Sequence, residues 1–265
     1  MKAARGRLYP GLLAAALLAL ALGPAQAQAA PARTHEGEVI GYSVAGRRIE
    51  AYTVGWGSRP LVFVGAIHGG AEWATGDLVA RAAEYFRLRA AEAPPALSFV
   101  FIPYANPDGL AAGHVRAGRF NAHQVDLNRN WDCNWASESK WNDETVSGGP
   151  AAFSEPETLA LRDYLLRLQP ALVVFYHSRA GTVAAGACAE SLPRSVAAAR
   201  LAARVTGYRY TEENFYEVSG DAAGYLNQQG IPAIEIELWT HSNMDWEINT
   251  AGMRALAQWT AEAEG

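Results

Sequence analysis

Lysine is nearly absent from this chain of 265 residues: Lys2 and Lys140 are the only two of its 22 basic residues. Against 27 acidic residues they leave a net charge of −5 at pH 7, so the basic field that meets nucleic-acid phosphates is missing. Cysteine is scarce too. Cys133 and Cys188 are the whole complement, too few for a thiolate zinc site. Long apolar runs are lacking: Leu12–Leu22 holds eleven residues, where a membrane-spanning helix needs about 20. Ser- or Gly-rich linkers, internal repeats and sustained charge runs are also missing. What is there is a chain 50% hydrophobic and 18% charged, which builds a core and is not disordered.

The first residues read as an export signal. Lys2, Arg5 and Arg7 precede the apolar run, and small residues follow at Ala25-Gln26-Ala27 and Ala27-Gln28-Ala29, the layout of a cleavable secretory leader. Residues 1–27 are therefore expected to be a signal peptide and 28–265 one catalytic domain, secreted or periplasmic and soluble. Removing the leader leaves 238 of the 265 residues with −8 rather than −5, a length that suits a single α/β domain. In an oxidising compartment Cys133 and Cys188 are most simply one disulfide, two buried thiols being the alternative.

The patterning alternates. Residues 38–44 and 49–54 flank Ala45-Gly46-Arg47 as a hairpin. Residues 61–67, 97–102 and 171–176 are short apolar runs typical of buried strands, and 233–238 reads as a further strand. Helical spacing covers about 72–91, 154–168, 192–205 and 251–263, with Ser154 expected as an N-cap before Pro156. Residues 105–153, rich in Asn, Gly, Trp and Asp, read as a long functional loop region. This order predicts a mixed, mostly parallel sheet with helices on both faces, and a ligand site beyond the carboxyl ends of the strands.

The polar residues gather at those ends. His68 follows the strand at 61–67, His177 follows 171–176, and Glu237 closes 233–238. Two histidines with Glu72 form the two-His, one-carboxylate set of a catalytic zinc site. Taken singly, each His is equally well a hydrogen-bonded strand-end residue.

The ordered set resembles the zinc metallocarboxypeptidase family of the carboxypeptidase A type. The resemblance rests on His68 with Glu72-Trp73, Asn106-Pro107-Asp108-Gly109, Val125-Asp126-Leu127-Asn128-Arg129-Asn130-Trp131, Ser154-Glu155-Pro156-Glu157, His177-Ser178 and Tyr216 through Ser219-Gly220 to Glu237. It implies one Zn²⁺ on His68, Glu72 and His177, with Glu237 as general base and then acid. It further implies that Asn128 and Arg129 grip the substrate's C-terminal carboxylate, that Tyr216 donates to the substrate, and that Arg119 stabilises the oxyanion, with Arg116 competing. The expected substrate is a peptide, or alternatively a muropeptide cut at a γ-D-glutamyl–diamino acid bond by an amidase of the same chemistry. A non-catalytic peptide binder is a third reading. A monomer is expected, with no nucleic-acid partner, no membrane contact after leader removal and no room for a long inhibitory pro-segment.

This sequence departs from the family's usual His-x-x-Glu spacing, since Glu72 lies four residues after His68; positions i and i+4 still share a helix face. Glu235 is expected to lie deeper than Glu237 in a supporting role. The base of the specificity pocket is expected near Ala223 (neutral) or Asp221 (basic preference). His35, His114, His123 and His241 are read as surface or supporting groups, and Trp131 and Trp135 as either cleft wall or loop packing.

Overall fold

The computed structural model describes Met1 and residues 37–212 and 218–262; residues 2–27 of the expected signal peptide, His35 and Tyr216 lie outside the described residues. Strands β1 (Glu38–Tyr42) and β2 (Arg48–Gly55) pair antiparallel around Gly46, whose φ of +75° is one that glycine adopts without strain. Strand β3 (Arg59–Val64) leads into helix α1 (Trp73–Arg87), and β4 (Leu97–Ile102) into the short helix α2 (Pro107–Ala111).

The 105–153 region carries more order than its composition suggests. Strands β5 (Glu138–Trp141) and β6 (Glu144–Ser147) form a two-stranded ribbon, and single helical turns cover Arg116–Arg119 and Leu127–Arg129. Helix α3 (Pro156–Leu168), β7 (Leu172–Ser178), β8 (Thr182–Ala185), α4 (Pro193–Thr206), β9 (Arg209–Thr211), α5 (Ala222–Gln228), β10 (Ala233–Leu238) and α6 (Trp246–Glu262) complete the order.

Eight strands form one mixed sheet in the order β1-β2-β4-β3-β7-β10-β8-β9. The central pairs β4-β3, β3-β7 and β7-β10 are parallel, while β2 and β8 flank them antiparallel. Helices cover both faces, as the sequence predicts. Leu61, Phe63, Phe99, Phe101, Val174, Tyr176, Ile234 and Ile236 pack against α1, α4 and α6. Val62, Val64, Val100, Ile102, Val173 and Phe175 pack with Leu161 and Leu165 of α3 and Leu226 of α5. No helix among the described residues is long and apolar enough to cross a membrane.

Several boundaries differ from expectation. β3 stops at Val64, because Gly65 has left the strand to pack its Cα against the backbone of Thr75 and Pro103. His68 therefore sits in the loop beyond the strand rather than at its end. β7 runs further than its apolar stretch, so His177 and Ser178 are its last two residues. Glu155, not Ser154, is the N-cap of α3, and Ser154 Oγ donates to Glu155 Oε1 instead. Helix α6 begins at Trp246, ahead of the apolar spacing that starts near Ala251. Strands β8 and β9 and helix α5 carried too little period to be read from sequence.

Candidate active site

The period of a strand decides the first part of the site. Glu235 and Glu237 share their face of β10 with Ala233, and His177 shares its face of β7 with Val173 and Phe175. In the parallel register Glu237 lies opposite His177, so base candidate and ligand candidate emerge side by side on the α3/α5 face.

His68 and Glu72 arrive from the turn Gly69–Glu72 that opens α1. Gly69 has φ +46° and packs against the backbone of Gly109 and Gly118, an approach that a Cβ would block. The turn absorbs the extra residue between the two candidate ligands: Nδ1 of His68 lies 2.9 Å from Oε1 of Glu72. Nδ1 of His177 is 3.4 Å from Nδ1 of His68 and 3.5 Å from Oε2 of Glu72. One ligand atom from each of His68, Glu72 and His177 falls within 4.8 Å of the others, and all three residues are buried. Two imidazole nitrogens and one carboxylate oxygen make a donor set that fits zinc.

The surroundings fit a metal as well. Nε2 of His68 faces Oδ1 of Asp126 at 3.1 Å, the outer bond that orients a ligating imidazole. Burial raises the Glu72 carboxyl, but the charges of His68 and His177 and the hydrogen bonds from both outweigh it and hold the group well below the usual carboxylate range. Asp126 is likewise opposed by burial and held well below that range by Arg119 first, then His68 and Arg129. Sequence reasoning included Asp126 in a motif without giving it a role; its position two residues before Asn128 was the available signal.

Arg119 is buried between the acids. Its Nε donates to Oδ2 of Asp126 at 2.8 Å, Nη1 reaches Oε1 of Glu72 at 3.4 Å, and its guanidinium lies 4.4 Å from the Trp141 ring centre. Arg116, the competing candidate, is exposed, pairs with Glu144 and does not line the cleft that Arg119 lines. Arg129 is held by Nη1 donating to Asn128 O at 2.7 Å and Nε donating to Lys140 O at 3.0 Å. Its own backbone packs against Gly220, whose φ is +73°. Asn128 Oδ1 accepts from Ala222 N at 2.9 Å, and its Nδ2 donates to Glu235 Oε1 at 3.3 Å.

These groups line one cleft of about 350 Å³, with His68, Glu72, Arg119, Asn128, Arg129, His177, Glu235 and Glu237 on its walls. Burial first, and the nearby charge of Glu72 next, push Glu237 up to about 7, despite His177. That suits a group that must take and return a proton near neutrality. Tyr216 lies in the segment outside the described residues and is not placed.

Three expectations, for Glu235, for Ala223 with Asp221, and for His241, are corrected, and the two readings of Trp131 are resolved in favour of packing. Glu235 is not a buried support: it lines the cleft, with its side chain 18% exposed. Ala223 and Asp221 are both buried and do not line the cleft; Ala223 packs in the core and Asp221 Oδ1 caps α5 through Gly224 N at 2.6 Å. Trp131 is wholly buried in the core, and the tryptophan on the cleft wall is Trp141. His241 also reaches the cleft, its Nδ1 2.7 Å from Ser178 Oγ, because the loop after β10 folds back over β7. His114 stacks on Trp73 and His123 meets Glu155 at 2.7 Å, the supporting roles expected of them. Cys133 and Cys188 form the disulfide, tying the loop after Arg129 to the segment beyond β8.

Comparison with known proteins follows the same lines. The family described as zinc carboxypeptidase matches residues 25–257. Over 82 residues the chain is 43% identical to murein peptide amidase A of Escherichia coli (strain K12), a stretch covering 27% of this chain and 32% of that protein. The chain thus spans about a third of the length of the curated relatives it matches. Among solved structures, carboxypeptidase A from Helicoverpa armigera superposes with a TM-score of 0.67 at 21% identity, covering 87% of this chain and 69% of that one. Murein-tripeptide amidase MpaA from Escherichia coli O157 superposes with a TM-score of 0.61 at 22% identity, covering 84% and 91%. At those identities the likeness is one of fold.

Proposed function

Because this chain belongs to the zinc carboxypeptidase family, we propose that it is an exported zinc-dependent carboxypeptidase, acting on a peptide that ends in a free carboxylate. The observation that carries this reading is the convergence of His68, Glu72 and His177 in a cleft that also holds Glu237 and a buried Arg129. Zinc held by those three residues supplies a Lewis acid that polarises a peptide carbonyl and makes a water acidic near neutral pH.

The chain's own residues do the rest. The guanidinium of Arg129, fixed by Asn128 O and Lys140 O, grips the terminal carboxylate and sets which bond enters the site. Asn128 keeps one amide N–H for the same carboxylate beyond the one donated to Glu235. The Glu237 carboxylate takes the proton of the attacking water on a side-chain oxygen and delivers it to the leaving amine. Arg119, anchored by Asp126, presents its guanidinium to the carbonyl oxygen as negative charge develops there. Tyr216 donates its hydroxyl to the substrate. Residues 1–27 direct export and 28–265 fold as the catalytic domain, with a monomer as the working unit.

A second reading keeps the chemistry and changes the substrate to a cell-wall peptide. It is favoured by the 82-residue identity with murein peptide amidase A. The test uses the zinc-loaded chain with two peptides differing only in a free or amidated C-terminus, read by mass spectrometry, with Glu237→Gln as control. Stepwise loss of single residues from the free acid alone supports the carboxypeptidase. Cleavage of a muropeptide with neither peptide touched moves the assignment to the amidase.

A further inference from the structure

Three carboxylates line the cleft, and two are accounted for: Glu72 sits with the histidines and Glu237 with the reacting water. Glu235 is left over. It stands one strand repeat before Glu237 on the same face of β10, opposite Ala184 of β8 as Glu237 stands opposite Thr182. Those two small residues also line the cleft and leave space beside the acids.

Glu235 has few partners among the described residues. Asn128 Nδ2 donates to Oε1 at 3.3 Å, and Nε2 of His177 lies 3.7 Å away, beyond hydrogen-bond distance. Among the described residues no Arg or Lys pairs with Glu235, and Oε2 has no hydrogen-bond partner. A carboxylate offers about four acceptor positions, so most remain available to an incoming donor. Asp221 is buried nearby, and burial first, then the Glu235 charge, push its carboxyl up to about 7. The Glu235 carboxyl therefore faces the cleft. The contact with Asn128 puts that carboxyl next to the group proposed to hold the terminal carboxylate.

We infer that Glu235 is the specificity-determining residue of the cleft, receiving the cationic side chain of the residue released from the C-terminal side. The inference rests on the reading of Asn128 and Arg129 as the carboxylate anchor. The released residue then carries two recognised groups: a carboxylate held by Arg129 and an ammonium held by Glu235. Lysine and a diamino acid of a cell-wall peptide both satisfy this chemistry. A charge-assisted hydrogen bond contributes about 1.5–3 kcal/mol, which corresponds to roughly 10- to 100-fold in selectivity.

The experiment compares lysine with norleucine, which has the same chain without the ammonium. Calorimetry on the zinc-loaded chain first measures binding of the two free amino acids, with no turnover needed. Then kcat/KM is measured on peptides ending in lysine, arginine or norleucine, and on a γ-D-glutamyl–diaminopimelate substrate, for the native chain and Glu235→Gln. The expected result is a 10- to 100-fold preference for lysine over norleucine in binding, brought close to one by Glu235→Gln. The peptide and diaminopimelate arms then say which source of the cation is used. Tighter binding of lysine that depends on Glu235, with no peptide cleaved, keeps the inference and removes the carboxypeptidase reading. Equal binding of lysine and norleucine by the native chain overturns the inference. So does a Glu235→Gln variant that loses zinc affinity while keeping its preference for lysine, since Glu235 would then act by orienting His177.

Discussion

Nε2 of His68 lies 3.1 Å from Oδ1 of Asp126, while Nδ1 of the same ring faces Glu72 at 2.9 Å. The ring is thereby held by one edge, with its other nitrogen presented to the candidate metal. Asp126 also carries Arg119, so one buried carboxylate orients both a ligand and the arginine facing the carbonyl. Removing its charge loosens both. Asp126→Asn is expected to weaken zinc binding by about 10- to 100-fold, the usual cost of losing an outer partner of a ligating histidine. A competitive zinc titration against a chromophoric chelator measures this, and an unchanged affinity would remove Asp126 from the metal site.

Glu237 projects into the cleft opposite His177 and is not among the three converging ligands. Its replacement should therefore separate catalysis from metal binding. Glu237→Gln is expected to lower kcat by about 10²- to 10⁴-fold with zinc still bound at one equivalent. Full loss of zinc from this variant would place Glu237 among the ligands instead.

The Cys133–Cys188 bond closes a separation of 55 residues around the loop that follows the anchor. Loop-closure entropy alone assigns such a cross-link roughly 4 kcal/mol, and loss of a native disulfide commonly costs about 2–5 kcal/mol. Reduction, or the double change to serine, should shift urea unfolding by that amount. Coincident unfolding curves in the two redox states would contradict it.

Asp221 carries the pH dependence most accessible to test. Burial foremost, and Glu235 after it, raise its folded pKa to about 7, whereas the unfolded chain releases that proton near the ordinary value of 3.8. Between those values the native state holds a proton that the unfolded state has lost, so this group's contribution is intact below about pH 4 and is lost as pH rises through 7. The slope approaches about 1.4 kcal/mol per pH unit. Asp221→Asn keeps a competent cap on α5 and should gain on the native chain across that window. Parallel stability curves for the two, measured free of metal by urea unfolding, would show that Asp221 is already ionised.

Much of the fold and the site is legible along the chain. The runs at 61–67, 97–102 and 171–176 are apolar enough to announce buried strands, 233–238 reads as a further one, and His68, Glu72 and His177 are the residue types a catalytic zinc site uses. What stayed hidden has a common cause, namely contact between segments far apart in sequence. β8 and β9 are too short to show a period. The 105–153 region reads as loop because its order comes from pairing β5 with β6 and from side chains such as Asn130, whose amide bonds Gly148 O and Ala151 O. Neither pattern is visible locally.

The alternation of strands and helices, the candidate ligands and the candidate Asn128–Arg129 pair were determined by the sequence alone, because residue type and short-range period are properties of neighbours on the chain. The wall of the cleft was decided only by tertiary structure. Register between β7 and β10 puts His177 beside Glu237, and the strand's two-residue repeat then turns Glu235 into the cleft. The same packing buries Ala223 of α5 and the Asp221 that caps it, and folds His241 back onto Ser178. Side chains that meet across a sheet leave no mark on the order in which they were made.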